Sequence, residues 1–219
     1  MLTLFLLLFS KKNLVFDWED ATNFFLLFYF LFLMRLYDDL QNSNTDSDKK
    51  NRIYTDSKAR KNLIVLLAIL LVPFLFLVYQ FKIELLLYVI GFFVINHVLY
   101  FLLFPVRNFK SYLPLLKYPL VSIALLGEFN WACIALFLAM IVFEIIEDAQ
   151  FPIEIKYAFP FAVISMYLLI PNLFIYYFIL LLVVLSITLF LIKRKTKRSP
   201  YLFLLLFLFT RLITITYVI

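Results

Sequence analysis

Apolar residues run in long unbroken stretches along this chain, and polar residues gather between them. A helix needs about 20 apolar residues to cross the hydrocarbon core of a bilayer. On that measure the pattern predicts a short opening segment, Leu2–Phe9, and eight longer ones. These are Ala21–Tyr37, Leu63–Phe81, Ile83–Phe104, Tyr112–Leu126, Phe129–Ile146, Tyr157–Ile170, Asn172–Ile192 and Tyr201–Val218. The runs are continuously apolar and do not alternate with period two, so barrel strands are disfavoured. In lipid every backbone polar group needs an internal partner, which leaves helices. The opening segment has neither a basic flank nor a small-residue cleavage site. It reads as a short first helix packed against the second, not as a signal peptide. The expected fold is all-α, a single polytopic membrane domain over residues 1–219 with about nine transmembrane helices.

Composition agrees. Hydrophobic residues make up 65% of the chain and charged residues 16%, against roughly 45–50% apolar in ordinary soluble domains. A water-soluble globular protein is therefore excluded. One cysteine, Cys133, excludes an internal disulfide and a cysteine-based zinc site. Two glycines exclude a Rossmann fingerprint and a P-loop, and one histidine, His97, excludes two-histidine zinc motifs.

The net charge of +6 reads as membrane orientation, with no nucleic-acid partner. Fifteen basic residues fall in or beside the gaps after the second, fourth, sixth and eighth segments; three fall on the opposite face. The positive-inside rule places the even-numbered gaps in the cytoplasm.

The carboxylates are the informative feature. After the second segment the chain reads Arg35-Leu36-Tyr37-Asp38-Asp39-Leu40-Gln41-Asn42, followed by Asp46 and Asp48. If the helix continues past Tyr37, then Asp38, Asn42 and Asp46 recur at i, i+4 and i+8 on one face. The sixth segment closes on Glu144, Glu147 and Asp148, with Glu144 and Asp148 again at i, i+4. Both groups fall on the expected cytoplasmic side. Carboxylates held together at one membrane depth are costly unless cations compensate them. Hard oxygen ligands suit Mg²⁺, which takes a few carboxylates, waters and substrate phosphates. The basic residues Arg107, Lys110 and Lys117 are placed to meet phosphate charge. A solvated loop after the second segment and a solvated end of the sixth are the competing readings of the same residues.

At these residues the sequence resembles the UbiA-type intramembrane prenyltransferase superfamily, whose acidic motifs follow the second and sixth of nine helices. The first motif maps onto Asp38, Asn42 and Asp46, and the second onto Glu144 and Asp148. The order here is Asp-Asn-Asp where the family has Asn-Asp-Asp, Glu144 stands for Asp, and the usual Arg-Pro after the first motif is absent. Leu126-Gly127-Glu128-Phe129-Asn130-Trp131 is similar to a stretch before the sixth helix of family members. The resemblance implies helices around a central cavity and Mg²⁺-dependent transfer of an isoprenyl group from a (poly)prenyl diphosphate to a membrane-embedded aromatic or lipid acceptor. It implies metal and catalytic roles for Asp38, Asp46, Glu144 and Asp148, with Asn42 as a further ligand. It implies diphosphate contacts for Lys49, Arg52, Arg107, Lys110 and Lys117, with Asp39, Asp48 and Glu147 in support. A cation carrier or channel and a non-catalytic membrane subunit are the alternatives. A transporter is expected to hold its carboxylates nearer the midplane.

Other polar residues read as structural. Asn96 and His97, within the fourth segment, are expected to hydrogen-bond between helices. Cys133 is expected to pack. Arg211 is expected to meet an acidic group or to snorkel, and Pro73 to kink the third helix.

Overall fold

The computed structural model describes residues 2–10, 16–42, 57–81, 83–102, 113–126, 128–147, 153–170, 175–194, 196 and 198–217. Among these residues the fold is all-α. The α-helices are α1 (Leu2–Phe9), α2 (Trp18–Asn42), α3 (Ser57–Phe81), α4 (Ile83–Leu102), α5 (Lys117–Leu126), α6 (Trp131–Glu147), α7 (Ala158–Leu169), α8 (Ile175–Arg194) and α9 (Ser199–Tyr217). Short 3₁₀ turns at Leu113–Leu116 and Ile155–Tyr157 lead into α5 and α7. Among the described residues, each apolar segment of the sequence overlaps one of these helices.

The ends differ where polar side chains extend a helix beyond its apolar run. The α2 start is a reciprocal cap: the Asp20 amide donates to Asp17 Oδ1 at 3.0 Å, and the Asp17 amide donates to Asp20 Oδ2 at 2.9 Å. Two orphan donors of the helix end are thereby satisfied. Asn130 caps α6 in the same spirit, its Oδ1 accepting from the Ala132 amide at 3.0 Å.

The chain forms two compact units, Phe16–Val89 and a second made of Met1–Val15 with Ile90–Ile219. In the first, α2 packs along α3. Tyr29 of α2 meets Phe74 of α3 edge-on with ring centroids 5.2 Å apart, and Phe30 meets the same ring at 6.2 Å. Pro73 lies inside α3, where its ring removes the donor that the Ile69 carbonyl would have used. Beside that break the Tyr29 hydroxyl donates to the Leu70 carbonyl at 2.9 Å. Both helices also turn large apolar side chains outward, Phe24, Phe25, Phe28 and Phe32 on α2 and Ile69, Val72 and Phe76 on α3. The segments Trp18–Tyr37 and Ala59–Gln80, of 20 and 22 residues, are long and apolar enough to cross a membrane. Outward apolar faces on helices of that length point to membrane association.

The second unit is organised on α6, which packs against α5, α7 and α9. Eleven of its residues are buried, from Ala132 to Ile146. Ala135 and Ala139, one turn apart, are fully buried, as are Ala158 and Ala162 of α7. Small residues at this spacing let helix backbones approach closely. Helix α1 packs against α9 and α5. Phe9 stacks on Phe207 at 5.5 Å, and the Ser10 hydroxyl donates to Ser122 Oγ at 3.3 Å.

Two substitutions test this packing by thermal or denaturant unfolding. Ala139→Leu overfills the α6 core and should cost about 1–3 kcal/mol. Tyr29→Phe keeps the ring and removes the bond to Leu70, and should cost about 0.5–1.5 kcal/mol. Unchanged stability in Ala139→Leu would mean that α6 is not closely packed there.

Candidate functional site

Helix α2 does not stop at the end of its apolar run. It continues through Asn42, so the positions of Asp38 and Asn42 lie one helical turn apart on the same face. Arg35, one turn earlier, is exposed. Asp46, Asp48, Lys49 and Arg52 lie outside the described residues, as do Arg107, Lys110 and Asp148.

On α6, Phe143 is buried, Glu144 is half-buried and Glu147 is exposed at the last helical position. The Tyr201 hydroxyl, from the start of α9, donates to Glu147 Oε1 at 3.3 Å. The Tyr201 ring meets Phe143 edge-on at 5.4 Å. Helix α6 therefore ends with one carboxylate tied to a neighbouring helix and a second a turn behind it.

Lys117 opens α5 and is 8% exposed. Its ammonium sits 5.3 Å from the centroid of the Tyr118 ring, a distance at which the ring face attracts a cation. The 3₁₀ turn Leu113–Leu116 delivers it to this position. Lys156, in the connection before α7, pairs instead with Glu154 at 2.8 Å, both well exposed. The Glu154 carboxylate holds the Lys156 ammonium above its ordinary pKa. That pair is a surface contact of small energetic weight.

The helix macrodipole favours cations at a C-terminus and disfavours acids there, by about 0.3–1 kcal/mol per charge. Helix α6 ends on Glu147, and Asp38 and Asp39 lie within the last five residues of α2; neither helix has a basic residue in its last turn. Among the described residues no three His, Cys, Asp or Glu side chains gather into a group that could hold a metal ion.

Three features of the second unit went beyond the sequence. The first is the Tyr201–Glu147 contact. The second is a cavity of about 230 Å³ lined by residues including Leu2, Phe5, Tyr118, Met140, Phe143 and Tyr201. The sequence shows these aromatics only as members of apolar runs suited to lipid. The third is Arg211, whose Nε donates to the Phe9 carbonyl at 3.4 Å rather than to an acidic group. Asn96 is 2% exposed while its neighbour His97 is exposed, so of this pair the asparagine is the inward-facing residue. Cys133 is buried, in keeping with a packing role. No protein-family model, curated protein or solved structure matches the chain.

The strain of an acidic helix end can be measured. Glu147→Gln keeps an acceptor for the Tyr201 hydroxyl and removes one charge from the α6 terminus. At low ionic strength with EDTA it should raise stability by about 0.3–1 kcal/mol, and added salt should shrink the gain. A loss of stability under those conditions would show that the carboxylate is already compensated within the protein.

Proposed function

We propose that the chain is a multi-pass membrane enzyme that transfers an isoprenyl group from a (poly)prenyl diphosphate to an aromatic or lipid acceptor. The observation that carries this reading is that α2 and α6 carry carboxylates in or beside their last turns, Asp38 and Asp39 on α2 and Glu144 and Glu147 on α6, with no basic residue in either last turn. A merely solvated helix end gains nothing from acids at its negative pole, whereas a bound divalent cation offsets that repulsion. The assignment gives Mg²⁺ ligation to Asp38, Asn42 and Glu144, residue types whose oxygen chemistry suits that ion. The proposal adds Asp46 and Asp148, the remaining members of the two acidic motifs.

When bound, Mg²⁺ supplies Lewis-acid stabilisation of the departing diphosphate. The chain's own part is to hold the phosphate charge and keep water away. Lys117 suits the first task because it is almost fully buried, and a cation in a water-poor setting acts on a developing anion more strongly than one in solvent. Arg107, Lys110, Lys49 and Arg52 are the further diphosphate contacts in this assignment. Among the described residues, each apolar segment overlaps a helix, and the α2 and α3 spans turn apolar side chains outward; both support a polytopic arrangement. The bias of basic residues assigns the acidic helix ends and the basic gaps to the cytoplasmic side.

The test is to incubate membranes carrying the protein with radiolabelled isoprenyl diphosphates and a panel of acceptors, with and without EDTA. Transfer should require the protein and Mg²⁺. Asp46→Ala and Asp148→Ala should each abolish it while leaving the protein folded and in the membrane. Full activity in both variants would refute the assignment.

A further inference from the structure

Helix α1 has eight residues, a length of about 12 Å, which is less than half a bilayer core. It is nonetheless enclosed: Phe5, Leu6, Leu7, Phe9 and Ser10 are each at most 6% exposed. A buried helix end leaves carbonyls in need of donors. The last α1 carbonyl, of Phe9, accepts from Arg211 Nε at 3.4 Å, and the guanidinium lies 5.7 Å from the centroid of the Phe9 ring. A cation there also complements the negative pole of the helix. The Ser10–Ser122 bond is a second tie at the same end. Between them, α9 and α5 hold the C-terminal end of α1 through the Phe9–Phe207 stack, one charged contact and one weak hydroxyl pair.

The other end of α1 borders the cavity. Leu2 and Phe5 form one wall, facing Tyr118 of α5, Met140 and Phe143 of α6, and the start of α9 with Tyr201. An apolar cavity of about 150 Å³ takes a benzene molecule. By proportion, about 230 Å³ takes roughly nine carbons, a segment of one chain. Tyr201 lines the wall, and its hydroxyl donates to the exposed Glu147 carboxylate outside the cavity. An apolar enclosure with a few polar groups beside it suits a hydrocarbon chain that bears a polar head.

We propose that this cavity binds a single hydrocarbon chain, and that α1 is its movable wall, latched by Arg211. The walls from α5, α6 and α9 are continuous with the main packing of their unit, whereas α1 has eight residues and both of its polar ties, to Arg211 and Ser122, lie at its C-terminal end. The proposal stands on contacts within this unit and does not rest on prenyl transfer. An isoprenoid and a fatty chain share the required chemistry, so the experiment separates them.

The full chain is reconstituted in phosphatidylcholine vesicles and exposed to two photoreactive probes, a diazirine-bearing farnesol and a diazirine-bearing hexadecanol. Cross-linked peptides are then mapped. Labelling should concentrate on α1 and on the α6 segment around Met140 and Phe143, with the preferred probe identifying the source of the chain. Leu205→Trp, at a half-exposed position of the cavity wall, should cut this labelling at least fivefold. Arg211→Gln should raise the labelling rate severalfold, and Arg211→Lys should leave it near the original. Should Arg211→Gln fail to fold, Ser122→Ala, which removes the second tie, should raise the rate in the same direction. Labelling by neither probe, or labelling that Leu205→Trp leaves unchanged, overturns the site. A rate unmoved by loosening either tie overturns the latch.

Discussion

The enclosure of α6 is the constraint on which the larger unit depends. Its buried positions extend around the helix, so α5, α7 and α9 must all close on it. Alanines at one-turn spacing make that possible, because a larger side chain would hold the backbones apart. A helix packed in this way is a stiff support. The residues it carries at its end, Phe143, Glu144 and Glu147, inherit that stiffness, and Tyr201 docks on two of the three. Groups mounted on rigid elements hold their geometry better than groups on loops.

The charged residues inside the apolar helices then need individual accounts. A charge buried among apolar side chains is costly unless a partner compensates it. Arg211 sits well along α9 and spends its charge on the end of α1, where a buried carbonyl needs a donor. Lys117 is almost buried and rests against an aromatic face. Both cations are thus engaged within the protein. The carboxylates are the opposite case, since they sit where the helix field disfavours them. Such placement costs about 0.3–1 kcal/mol per charge where nothing compensates it.

Much of the fold was legible along the chain. Each apolar run became a helix because a continuous run of about 15–20 apolar residues admits few other structures. The short run Leu2–Phe9 became α1 with the same bounds. Helix ends were less legible, because apolar runs mark the greasy middle of a helix and not its polar extensions. The Asp17–Asp20 cap, which sets the start of α2, is a polar signal that such a reading passes over. For the candidate site, the shared face of Asp38 and Asn42 was read on the condition that the helix outlasts its apolar stretch; α2 continues through Asn42, and Asp46 lies outside the described residues.

Sequence alone determined the all-α class, the order of the helices and the places where carboxylates interrupt apolar character. These are local properties, set by what each stretch of backbone and its side chains can satisfy by themselves. Tertiary structure decided which helix encloses which. Tyr201 reaches Glu147 from 54 positions away, and Arg211 reaches Phe9 from 202. No periodicity encodes such pairs, because they arise only when helices pack and a buried polar group takes the nearest partner that the packing brings to it.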